Sequence, residues 1–162
     1  MAHITHETAW YVREEDGMLD MNKLLAAFQK FFRKHSESWV ERFQYKEAGP
    51  QLLLQAFLGR IINSGGRIHR EYGLGRDRTD LLVIWPWQNK IQEIVIELKI
   101  RYGDTEKTVK KGLKQISDYM DKCGTEYGHL VIFDRRKNIS WKEKIFCRKE
   151  SYQGYMITIW GM

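Results

Sequence analysis

Apolar residues recur along this chain at two periods, about 3.6 and about 2 residues, and the switches between them mark out its elements. From Asp20 onward, Met21, Leu24, Leu25, Phe28, Phe31, Phe32 and His35 fall on one helical stripe, with Asp20 placed as N-cap. Ser36 to Ser38 interrupt it. Ser38-x-x-Glu41 then has the form of a capping box, opening a short helix through Val40, Phe43 and Tyr45. Gly49-Pro50 restarts the chain, since Pro suits a helix's first turn. The helix predicted from there to about Asn63 carries Leu52, Leu53, Leu54, Ala56, Phe57, Ile61 and Ile62, an apolar stripe wide enough to be well buried.

The short period takes over after the Ser64-Gly65-Gly66 turn. Residues 67–72 read as a short strand, and Asp80 to Ile84 and Ile94 to Lys99 as two strands joined by a turn at Trp87-Gln88-Asn89-Lys90. A loop at Tyr102-Gly103-Asp104-Thr105 supplies a cap for a helix bearing Val109, Leu113, Ile116, Tyr119 and Met120, which ends at Cys123-Gly124. Residues 128–133 are a further apolar strand, 134–150 a charged excursion, and Tyr155 to Trp160 a last strand. A helix between the Glu97 strand and the 128–133 strand implies that these two run parallel, with a right-handed connection. The expected sheet is therefore mixed, with helices on both faces. Trp85, Trp87, Trp141 and Trp160 are expected in core or rim packing.

A hairpin centred between Gln88 and Asn89 sets Asp80 opposite Glu97. Because side chains alternate along a strand, Glu97 and Lys99 share a face, and Asp80 joins them across the ladder. Two carboxylates and an ammonium so placed suit a hard divalent cation beside a phosphate. A Glu-x-Lys on a strand is commonly just a solvated face. Here the rest of the Glu97 strand is apolar on both faces, and charge in a covered strand is costly unless it is paired or metal-bound.

Composition changes this picture little. The chain has 162 residues, enough for one domain with a real core, and no apolar run approaches the length of a membrane span. Cys123 and Cys147 lack metal-ligand spacing, the five histidines are scattered, and no leader is recognisable, so a cytoplasmic protein is expected. A net charge of +6 permits a polyanionic partner.

The order of elements, with Asp80 and Glu97-Leu98-Lys99 where they stand, resembles the PD-(D/E)xK nuclease superfamily. Gln115-Ile116-Ser117-Asp118-Tyr119 adds the Gln-x-x-x-Tyr motif of its RecB-type branch. The likeness runs from about Glu47 to Phe133. Glu47-Ala48-Gly49-Pro50-Gln51 and Gly73 to Asp80 are also similar to nuclease-like domains at the C-terminus of AAA-type ATPases. Thr79 stands where the family motif has Pro, as in diverged members, and Arg76 and Arg78 replace a less charged lead-in.

The resemblance implies an α/β fold with a restriction-endonuclease-like three-layer core, a mixed central sheet flanked by helices, over residues 47–162. Residues 1–46 become an N-terminal helical extension, with 17–46 the approach from an ATPase motor. It implies a Mg²⁺-dependent (or Mn²⁺-dependent) deoxyribonuclease, monomeric or oligomeric, with nucleic acid rather than a membrane as partner. Asp80, Glu97 and the Leu98 carbonyl would hold the metal, and Lys99 would steady charge beside the attacking water. Gln115 and Tyr119 would face the site, core packing being the rival role for Tyr119. Glu47 matches an acid some members place at the start of the buried helix, or is a first-turn dipole partner. Arg76, Arg78, Lys107, Lys110, Lys111 and Lys114 are candidate phosphate contacts, a solvated helix face being the other reading of the lysines. Glu71 is close enough in sequence to approach the site. Two further functions remain open: a non-cleaving nucleic-acid-binding or ATPase-regulatory module on the same fold, and an interaction domain docking through its aromatic N-terminal helix.

Overall fold

The computed structural model describes residues 9–42, 49–72, 78–101 and 103–162, with backbone alone at 36–42, 71–72, 78–79 and 105. In chain order its elements are α1 (Met21–Arg42), α2 (Gly49–Ile62), β1 (Arg67–Tyr72), β2 (Arg78–Trp87), β3 (Lys90–Arg101), α3 (Thr105–Cys123), β4 (Tyr127–Asp134), α4 (Trp141–Lys144), β5 (Phe146–Tyr152) and β6 (Tyr155–Gly161). The strands form one six-stranded sheet in the order β1-β2-β3-β4-β6-β5. β4 runs parallel to both β3 and β6, and the other pairs are antiparallel, so the sheet is mixed.

Alternation along the strands divides the core in two. Leu81, Val83, Ile94, Ile96, Leu98, Val131, Phe133 and Trp160 meet Leu24, Leu25, Phe28 and Phe32 of α1 and Leu54, Leu58 and Ile62 of α2. Val95, Leu130, Ile132, Ile157 and Ile159 point the other way, onto Val109, Leu113, Ile116 and Met120 of α3. Helices therefore cover both faces, and β3 and β4 are buried along nearly all their length, as parallel neighbours must be.

Local chemistry explains the boundaries. Asp20 caps α1 by accepting from the Lys23 amide at 3.1 Å. Asp104 caps α3 by accepting from the Glu106 amide at 2.8 Å, and Gly124 closes that helix at φ 71°, a left-handed conformation favouring glycine. The β2–β3 hairpin turns on Gln88 and Asn89, with Trp87 paired to Lys90 and Gln88 at φ 51°. The segment before α1 is tied to β3 by the Gln92 amide, which accepts from the Leu19 amide at 2.9 Å and donates to its carbonyl at 3.2 Å.

Three expectations are corrected. α1 runs through Ser36–Ser38 without a break, so Val40 belongs to the first helix, while Phe43 and Tyr45 lie outside the described residues. Serine in a helix interior costs only a fraction of a kcal/mol. The helix is meanwhile anchored by Phe28 and Phe32, the latter 5.3 Å from Phe133 and 6.0 Å from Trp141 between ring centres. The buried stripe of α2 is narrower than expected. Leu54, Leu58 and Ile62 are fully buried, but Leu52 is 51% exposed. The excursion at 134–150 contains α4 and most of β5, an edge strand whose exposure alternates residue by residue.

Candidate functional site

β2 and β3 pair with Asp80 opposite Glu97 and Arg78 opposite Lys99. Residues facing each other across a ladder have Cβ atoms about 5 Å apart and project from the same face, so the Asp80 and Glu97 carboxylates are neighbours by construction. Lys99, two residues on, shares that face about 6.6 Å along the strand. All three are buried, at 3%, 0% and 6% exposure. The row extends on both sides: Glu71 of β1 is in register with Asp80, and Leu130 of β4 with Glu97.

This row lies on the α3 face, among Leu82, Val95, Leu130 and Ile132. Helix and sheet approach closely at Gly112. A Cβ there would stand 2.8 and 2.9 Å from the Leu130 methyls and 3.3 Å from Cδ of Lys99. The bare glycine leaves room for the Lys99 stem to pass under the helix.

Gln115 sits three residues after Gly112, on the flank nearer β2. At about 100° per residue it is diametrically opposite Glu106, and Glu106 reaches Arg148 of β5, 3.6 Å away at the other edge of the sheet. The Gln115 carbonyl oxygen is buried and has no hydrogen-bond partner among the described residues. A buried amide oxygen in that condition calls for a donor from a water or ligand. Tyr119, one turn on, is 7% exposed and packs in the apolar cluster beneath α3. Lys107 and Lys111 precede Gln115 at four-residue steps and so share its flank. Both are exposed, as are Lys110 and Lys114 on the outer face.

Glu47 and Arg76 lie outside the described residues, and Arg78 is placed by its backbone alone.

One cluster was not anticipated. Arg101, two residues beyond Lys99 on the same face, donates to Asp134 at 3.3 Å, and Arg136 grips the same carboxylate at 2.8 to 3.2 Å. Burial alone raises the Asp134 carboxyl. The Arg136 hydrogen bonds, with both guanidinium charges, more than offset this and hold it below its ordinary value. Continued alternation from Glu97 and Lys99 to Arg101 was the signal in the sequence. Its partner, Asp134, stands where the sequence predicts the charged excursion to begin.

As a cation site the row is small. Among the described residues no group of three His, Cys, Asp or Glu side chains converges. Two carboxylates plus the Leu98 carbonyl fit an ion that keeps much of its water, as Mg²⁺ does, rather than one held in a closed protein cage. Formal charges of Asp80, Glu97 and Lys99 sum to one negative, which favours a cation beside them.

Comparison with known family models, curated proteins and solved structures finds no match to this chain.

Proposed function

We propose that this chain is a restriction-endonuclease-like, metal-dependent nuclease domain that hydrolyses DNA phosphodiester bonds at the Asp80–Glu97–Lys99 row. The observation that carries the reading is the direct pairing of Asp80 with Glu97, both buried, with Lys99 on the same face. An apolar strand interior does not accumulate three charged groups without compensating interactions.

Asp80 and Glu97, with the Leu98 carbonyl, would hold Mg²⁺ or Mn²⁺. Such an ion, when bound, supplies Lewis acidity toward a phosphoryl oxygen and acidifies its water. The remaining work belongs to the chain. The Lys99 ammonium, held beneath Gly112, stabilises negative charge developing on a phosphate at the row. The Gln115 amide orients the water or phosphate that approaches from the β2 flank. Lys107 and Lys111 hold neighbouring phosphates, their long stems leaving the ammonium free to follow the backbone. The apolar shell of Leu82, Val95 and Leu130 keeps bulk water off the carboxylates, which strengthens each of these interactions. An AAA-type ATPase as covalent or bound partner, and a cytoplasmic setting, belong to the same proposal.

The test is cleavage of plasmid and linear DNA by the purified chain with Mg²⁺ or Mn²⁺, beside Lys99→Ala and Glu97→Gln. The reading expects metal-dependent cleavage by the parent and none by variants that keep their melting temperature. Full DNA binding without cleavage, across metals and with the ATPase partner supplied, would replace it with the non-cleaving module. Against the third reading, docking through the aromatic helix, Phe28 and Phe32 pack on the sheet.

A further inference from the structure

The fold gathers Arg135, Arg136, Lys137 and Lys144 of the charged excursion onto one edge. β3 and β4 both end there, at Arg101 and Asp134, and α1 reaches the same edge, since Phe32 contacts Phe133. The connection from β4 to α4 follows, carrying Arg135, Arg136 and Lys137. Trp141, the first residue of α4, then draws in two more cations. The Arg33 guanidinium of α1 lies 5.0 Å from its ring centre and the Lys144 ammonium 5.1 Å. Such contacts hold a cation in place without neutralising it. Arg101 and Arg136 share the Asp134 carboxylate, and only with Arg33, Arg135, Lys137 and Lys144 counted do the edge's six cations outnumber its four acids. Glu143 is the acid facing Arg136, and Asp104 and Glu106 face Arg101.

From this placement we infer that the C-terminal edge of β3 and β4 is a binding track for the phosphodiester backbone of a nucleic acid. It runs from Arg136, with the buried Arg101 behind it, past Lys137 to Lys144 and Arg33. Guanidinium groups suit paired phosphate oxygens, and cations already pinned on an indole lose less freedom on binding. An anionic membrane fits less well. Among the described residues the exposed large apolar side chains are Trp10, Leu52, Ile91, Tyr127 and Met156, none on α1, on α4 or between β4 and α4. Among the described side chains this edge therefore offers nothing to insert. The track begins two residues beyond Lys99, so a strand lying on it passes the mouth of the proposed catalytic row. Its existence nevertheless does not depend on cleavage, because it needs no metal.

The experiment is binding of labelled duplex and single-stranded DNA to the full 162-residue chain in chelator, over a range of salt. A triple variant, Arg33→Gln with Lys137→Gln and Lys144→Gln, removes three charges from the track. A matched triple, Lys23→Gln with Lys90→Gln and Lys122→Gln, removes three exposed charges at the opposite end of the strands. The track variant should lower the slope of log affinity against log salt by up to about 2.7 for duplex, or about 2.1 for a single strand. At 0.1 M salt it should weaken binding at least tenfold, with an unchanged melting temperature, while the matched triple stays within twofold of the parent. Equal losses in both variants would reduce the effect to net charge and overturn the inference. So would an unaltered slope in the track variant, or anionic vesicles bound as tightly as DNA. Retained track-dependent binding in a chain that never cleaves would leave this inference standing and remove the nuclease reading instead.

Discussion

In the proposed function Lys99 carries the chemistry and Gln115 the orientation, and their substitutions separate function from stability. Gln115→Ala should lower cleavage about ten- to a hundredfold, the range expected when a supporting polar group is lost, with the melting temperature nearly unchanged. Tyr119→Phe should be milder, since the ring stays in the apolar cluster. If Gln115→Ala left cleavage untouched while Tyr119→Ala cost several kcal/mol, that face of α3 would be core alone. His129 illustrates a different residue-scale effect. Its Nδ1 accepts from the Trp160 indole at 3.1 Å. Burial first, and the Lys149 charge second, lower its pKa from the ordinary 6.5 to about 4. The unfolded chain takes up this proton at higher pH than the folded one. The stabilisation is thus complete above pH 6.5 and declines, by on the order of 3 kcal/mol, as pH falls toward 4. Thermal melts of His129→Gln between pH 7 and 4.5 should show a smaller loss of stability than the parent. Parallel pH profiles would mean that other groups set the acid limit.

At the scale of elements, those that chain-local signals specify were the ones readable in advance. Asp20, Asp104 and Gly124 mark their helix ends by side-chain or backbone chemistry within a few residues. The Asp80–Glu97 register follows from counting back from a two-residue turn. The failures have a common cause. The continuity of α1 through Ser36–Ser38 depends on Phe32 meeting Phe133, about a hundred positions away in sequence, and no local pattern contains that. β5 is an edge strand whose inward residues include Arg148 and Glu150, which pair with each other at 3.0 Å, so its alternation is not one of apolar against polar. Gly112 had no visible role either, because its meaning lies in the close approach of α3 to Leu130 and Lys99. Gly112→Ala should improve helix propensity by about 1 kcal/mol against an overpacking cost of about 1–3 kcal/mol, a net destabilisation of up to about 2 kcal/mol, and it should reduce cleavage by displacing the Lys99 stem. A variant both more stable and fully active would show that the contact yields without consequence.

For the whole molecule, the sheet separates the two proposed regions by face and by edge. The Asp80–Glu97–Lys99 row occupies the α3 face of β2 and β3, and the proposed basic track follows the edge where β3 and β4 end. The α/β class, the mixed sheet and the helices on both faces were legible from periodicity. The gathering of Arg33, Lys144 and Trp141 was not, because it joins segments more than a hundred residues apart. Among the described residues no helix is long and apolar enough to cross a membrane. The central claim is that Asp80 and Glu97 together hold a divalent cation in front of Lys99. Its most direct test is a crystal soaked in Mn²⁺ and measured for anomalous scattering. The account predicts one strong peak about 2.2 Å from a carboxylate oxygen of each acid, absent in Asp80→Asn, with the Lys99 ammonium turned toward the same pocket. Well-ordered Asp80 and Glu97 carboxylates with no peak between them at millimolar Mn²⁺ would contradict it.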